Sequence, residues 1–183
     1  MFVKGVVFTE FLGFVKENYG EDTVDDIIDA STLPSNGAYT SVGTYPPAEM
    51  EALCHALSTQ TREPAAKLVC RFGLHLSQTF AVEYPEFFSK SDSFFDFLAS
   101  VEDHIHVEVR KLYPDAELPS FKVVSRTASK MIIDYQSPRR MSALAEGLIL
   151  GSAKQFGVKA QVQTLTDRDG NPDISRFIVE ISD

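Results

Sequence analysis

The segment Phe94–Pro119 reads FFDFLASVEDHIHVEVRKLYPDAELP, and the rest of the chain divides around it. Phe94, Leu98, Val101, Ile105, Val109 and Leu112 recur at helical spacing, which predicts an amphipathic helix running to Tyr113. Pro114 ends it, because a proline pushes the preceding residue out of the α region. Beyond Pro119 the apolar period changes from about 3.6 to 2, so strands are expected at Phe121–Ser125, Met131–Tyr135, Val158–Leu165 and Ile174–Ile181. The turns TASK and DRDGNPD are short, which makes neighbouring strands antiparallel. Between the second and third strands, Met141–Phe156 carries a helical pattern.

Upstream the signals are helical. Gly5–Tyr19 holds Val7, Phe11, Phe14 and Val15 on one stripe and stops at Gly20. A short helix over Val24–Ile28 follows the acidic Glu21-Asp22 start, where negative charge suits the helix dipole. Pro34–Pro47 is a connection whose tyrosines should pack down. Ala48–Ser58 is helical again, and Pro64 opens a helix to about Ala81 with Leu68, Phe72, Leu76 and Phe80 every four residues. Ser89–Ser93 is polar and reads as a mobile link. The architecture is α+β: a helical N-terminal half, then a four-stranded antiparallel sheet with one late helix. At 183 residues a single domain is expected.

Composition excludes several roles. A net charge of −9 argues against a phosphate backbone as partner. Cys54 and Cys70 have neither CxxC nor metal spacing and read as buried thiols of a reducing compartment. No signal-peptide layout and no membrane-spanning apolar run is present, so a cytoplasmic location is expected. Asp167, Asp169 and Asn171 start like a calcium loop, but Ile178 stands where its closing glutamate belongs, so the stretch reads as a hairpin turn. Fourteen phenylalanines without a tryptophan can fill a core or line an apolar cavity.

Two histidines flank the stripe of the Phe94 helix. His106 lies over Phe95, Ala99 and Tyr113, whereas His104 shares its side with Phe97, Ser100 and Lys111. Small Ala99 would admit a flat ligand beneath His106. Such a histidine can bind a haem iron, but it is more often a structural residue. Tyr135, Ser137 and Arg139 alternate in MIIDYQSPR and project from one face of an extended chain. Two hydroxyls and a planar guanidinium in a row suit carboxylates. An ordinary polar strand face would look the same.

The chain resembles the haem-nitric oxide/oxygen binding family (H-NOX, or HNOB), which includes the haem domain of soluble guanylate cyclase. The likeness runs through KGVVFTEFLGFV, YGEDT, GAYTSVGTYP, YPEFF, HIHVEVRKLYPDAELPSF, YQSPR and ALAEGLILGSAKQFG, covering almost the whole chain in family order. It implies one H-NOX domain over 1–183, with a helical distal part to about 64 and a proximal part from about 65. It implies haem b (iron protoporphyrin IX), with His106 as iron ligand, counted back from Tyr113-Pro114. Pro119 would press on the porphyrin, while Tyr135, Ser137 and Arg139 would hold the propionates. The distal positions carried over are Val7, Phe11, Leu76, Phe80, Leu144 and Leu148. Leu144 stands where oxygen-binding members carry a tyrosine. Gly147 and Gly151 are either packing glycines or a place where the porphyrin lies close.

The function so implied is a gas sensor that binds nitric oxide, with carbon monoxide a second candidate, and excludes dioxygen. Nitric oxide would loosen the histidine–iron bond and shift the helical half against the sheet-bearing half. The signal would pass to a separately encoded histidine kinase or diguanylate cyclase. No enzymatic activity, nucleic acid or membrane is expected: the close histidines lack the nucleophile or metal spacing that hydrolysis or peroxidase chemistry would need. The alternative is a haem-free H-NOX-like module for protein interaction or redox sensing.

Overall fold

The computed structural model describes residues 2–114, 116–166 and 170–182. The chain forms two compact units, 1–72 and 73–183. The first contains α1 (Gly5–Tyr19), α2 (Glu21–Asp29), α3 (Pro47–Thr61) and the start of α4 (Ala65–Glu83). Phe8, Phe11, Phe14 and Val15 bury one side of α1. Phe72 closes the core, its ring edge-on to Phe11 at 5.2 Å. Gly20 ends α1 at φ 95°, a conformation that glycine adopts without a side-chain penalty.

The tyrosine-rich connection packs down as its composition suggests. Tyr39 stacks on Phe8 at 4.4 Å, and its hydroxyl donates to the buried Glu49 carboxylate at 2.9 Å. The same connection contributes β2 (Thr44–Tyr45), which pairs antiparallel with β1 (Val3–Lys4). This ribbon was not expected; two residues are too few for a period-2 pattern to register.

The second unit holds the rest of α4, α5 (Pro85–Ser89), α6 (Phe94–Ser100), α7 (His106–Leu112), β3 (Ser120–Arg126), β4 (Lys130–Gln136), α8 (Ser142–Gln155), β5 (Lys159–Leu165) and β6 (Ile174–Ser182). The sheet order is β3-β4-β6-β5, every pair antiparallel. Met131, Ile133 and Tyr135 on β4 and Phe177 and Val179 on β6 alternate inward. They bury against Phe94, Phe95, Leu98, Ala145 and Ile149. Burying a side chain the size of Phe177 stabilises the fold by about 1.5–3 kcal/mol. Asp167 and Asp169 of the calcium-like stretch lie outside the described residues. The strands on either side, β5 and β6, pair as a hairpin.

Two expectations change. Ser89–Ser93 is no simple link: Pro85–Ser89 is helical and Ser93 caps α6, its Oγ accepting from the Asp96 amide at 3.2 Å. The Phe94 helix is also not uniform. Val101–Ile105 forms a π-turn between α6 and α7, and the His106 amide donates to the Val101 carbonyl five residues back. That extra residue shifts the buried face, so Leu112 at the end of the predicted stripe is 53% exposed.

Candidate functional site

The π-turn decides which histidine is inside. A five-residue step in a π-turn covers the rotation of a four-residue step in an α-helix, so His106 falls beneath Val101 where Ile105 would have been. His106 is 7% exposed, whereas His104 faces solvent. Its Nδ1 is buried without a hydrogen-bond partner. The Glu102 Oε2 lies 3.3 Å from that atom, close enough for charge attraction but out of line for a hydrogen bond. Burial pushes the imidazole below its ordinary value of 6.5, Glu102 opposes the shift and Arg110 adds to it. At neutral pH the ring therefore keeps a lone pair to offer.

Glu102 and Phe121 complete the surroundings. The same Glu102 oxygen accepts from the Phe121 amide at 2.9 Å. The Phe121 ring meets His106 edge-on at 5.7 Å and Tyr135 at 5.2 Å. The first turn of β3 is thereby tied to His106. Neither residue was singled out from the sequence, although Glu102 stands four residues before His106, the spacing at which helical side chains meet.

Tyr135, Ser137 and Arg139 do come together, though not as one extended row. Tyr135 lies on the inner face one residue before the end of β4, and burial raises its hydroxyl pKa, partly offset by a hydrogen bond with the Ser137 side chain and by the charge of Arg139. The strand stops at Gln136, and Arg139 sits in the following turn, its amide donating to Ser137 Oγ at 3.3 Å. The Arg139 guanidinium donates to the Glu117 carbonyl, two residues before the half-buried Pro119. Arg139 thus joins this motif to the loop after α7.

Of the apolar positions, Leu76 is buried and Phe80, Leu144 and Leu148 are half-buried on α4 and α8. These helices touch closely: a Cβ on Gly73 would lie 2.4 Å from the Leu144 carbonyl. One on Gly151 would lie 2.6 Å from Ser77, so Gly151 is a packing glycine. On α1, Val7 is half-buried and Phe11 lies fully in the core of its own unit. Among the described residues no group of three His, Cys, Asp or Glu is placed to hold a metal ion, and no helix is long and apolar enough to cross a membrane.

The donor set fits a haem. A neutral buried imidazole with an orphaned nitrogen suits an axial ligand whose second nitrogen is held by an acceptor. A guanidinium in one motif with two hydroxyls suits propionates.

The model of the family described as Haem-NO-binding (HNOB) matches residues 4–164. The Fe(II) unliganded H-NOX protein from K. algicida is 36% identical with a TM-score of 0.93, covering 99% of this chain and 97% of that one. An H-NOX protein from S. oneidensis in the Fe(II)NO state is 26% identical, with a TM-score of 0.89 over 99% of this chain and all of that one. Soluble guanylate cyclase 89Db of Drosophila melanogaster is 27% identical over 83% of this chain, which spans 23% of that protein's length.

Proposed function

Because this chain belongs to the Haem-NO-binding family of gas-sensing domains, sensors rather than enzymes, we propose that it binds haem b through His106 and senses nitric oxide. The observation that carries this reading is the buried, neutral His106 with its orphaned Nδ1 facing Glu102. When bound, haem would supply the iron that takes the gas.

The residues of the chain do the rest. His106 would ligate the iron, its ring oriented by Glu102, whose Oε2 lies 3.3 Å from Nδ1. Tyr135, Ser137 and Arg139 would hold the propionates, and Pro119, on the loop that Arg139 anchors, would lie against the group. Leu76, Phe80, Leu144 and Leu148 offer the gas no hydrogen-bond donor, which favours nitric oxide over dioxygen. Carbon monoxide, bound by the S. oneidensis H-NOX domain, is a second ligand on this reading. A change at His106 would reach β3 through Glu102, whose Oε2 accepts the Phe121 amide. The readout is a separate protein, a histidine kinase or diguanylate cyclase. Cys54 is a buried free thiol, which supports a cytoplasmic setting.

Haem reconstitution of His106→Gly tests this. Stable haem absorption should be lost and return when imidazole is added, while His104→Ala keeps it. Retention in His106→Gly without imidazole would overturn the ligand, and no haem uptake by the unmodified chain would favour a haem-free interaction module.

A further inference from the structure

A cavity whose lining does not include His106 lies in the sheet-bearing unit. It encloses about 540 Å³ between the start of α6, the β3–β4 turn and the ends of α8 and β6, lined by Asp92, Phe94, Arg126, Phe156, Val158 and Ile181. That volume is within the range of small-molecule sites. Phe156, Val158 and Ile181 are half-buried apolar side chains over the buried Phe94. They give an apolar body something to cover.

The polar groups on the rim are mostly spent. Ser93 Oγ donates to the Asp96 carboxylate and accepts the Asp96 amide. Thr127 Oγ1 donates to the Lys130 carbonyl and accepts the Lys130 amide. Two groups of opposite charge retain capacity. Arg126 uses Nη1 on Asp96 at 2.8 Å and rests its guanidinium over the Phe95 ring at 5.8 Å. Its Nε and Nη2 carry no hydrogen bond among the described residues. Asp92 is exposed and has no ion pair or hydrogen bond among them.

A carboxylate alone would meet Asp92 and Asp96 as well as Arg126, and an ammonium alone would leave the guanidinium fork unfilled. We propose that this cavity binds a small zwitterion with an apolar body, of the class of a hydrophobic α-amino acid. The carboxylate pairs with Nε and Nη2 of Arg126, the ammonium with Asp92, and the side chain covers Phe156, Val158 and Ile181. An occupant would clamp the first turn of α6 to the β3–β4 turn, at the far end of the helical run that leads to His106.

Titration of the haem-loaded full chain by calorimetry tests the site, with L-phenylalanine, phenethylamine and 3-phenylpropionate as probes. Phenylalanine should bind at least about tenfold more tightly than either analogue, since each lacks one charge-assisted contact. Arg126→Gln should weaken phenylalanine but not phenethylamine, and Asp92→Asn phenylalanine but not phenylpropionate. Ala128→Trp, on the exposed turn, should block all three with the haem spectrum unchanged. No phenylalanine binding at about 1 mM, equal binding of an analogue, or insensitivity to Ala128→Trp would each overturn the proposal.

Discussion

Leu144 is where gas discrimination can be tested on one side chain. Dioxygen gains far more than nitric oxide from a hydrogen-bond donor beside the iron, so if Leu76, Phe80, Leu144 and Leu148 face the gas, as proposed, they would penalise dioxygen selectively. With haem loaded and reduced, the visible spectrum should be unchanged by air and changed by nitric oxide. Leu144→Tyr should add a response to air, and a response in the unmodified protein would remove the leucine from this role. A second residue-scale outcome concerns Cys54, whose thiol burial pushes up to about 12 from 9.0. The folded state then binds the proton that the unfolded chain releases above pH 9. Its contribution is therefore complete below pH 9 and is lost as pH rises towards 12. The loss approaches about 1.4 kcal/mol per pH unit. Urea midpoints should fall more steeply between pH 9 and 10 in the unmodified chain than in Cys54→Val; equal slopes would show that this thiol titrates normally.

At the scale of elements, the π-turn over Val101–Ile105 separates two readings of one helix. In an uninterrupted α-helix, removing or adding one residue before His106 turns it by about 100° from its direction in the unmodified chain. With the π-turn, deleting exposed Asp103 leaves His106 four residues after Val101 in plain α geometry, still on the same face. Adding an alanine after Asp103 turns it away. The deletion should keep haem and helical circular dichroism, and the insertion should lose haem; loss in both would restore the uniform helix. This is also where the sequence stopped being legible. Helices and strands came through because apolar residues at period 3.6 or 2 are what those elements bury, as on β4 with Met131, Ile133 and Tyr135. A π-turn leaves no periodic trace; it shifts the pattern by one residue, and Val109 and Leu112 looked buried for that reason. Small Ala99 favours His106 over His104 only in a uniform helix, but Ala99 is exposed and the π-turn shifts the face; Glu102 and Phe121 likewise required the turn and the β3 register. Arg139 was visible as a cation near two hydroxyls, whereas its bond to the Glu117 carbonyl depends on a loop that no local pattern specifies.

For the whole molecule, the division between Phe72 and Gly73 falls inside α4, which runs unbroken from Ala65 to Glu83. If either unit unfolded alone, it would leave the other with about half of this helix unsupported, and isolated helices shorter than about 12–15 residues are marginal in water. We therefore expect the chain to behave as one domain over 1–183 that unfolds in a single step, although each unit has its own core. Phe177 makes a sharp probe because it is fully buried beneath the sheet, edge-tilted on Tyr135 at 5.6 Å, and far along the chain from α1. Phe177→Ala should cost about 3–5 kcal/mol. Under cooperative unfolding, hydrogen exchange measured in low urea should rise to the same extent for the amides of α1 and α3 as for those of β4 and β6. Haem loss should follow the same midpoint. Faster exchange confined to β4 and β6, with α1 and α3 unchanged, would mean that the chain is two domains joined through a helix. The gas response would then have to be sought within the His106 unit alone.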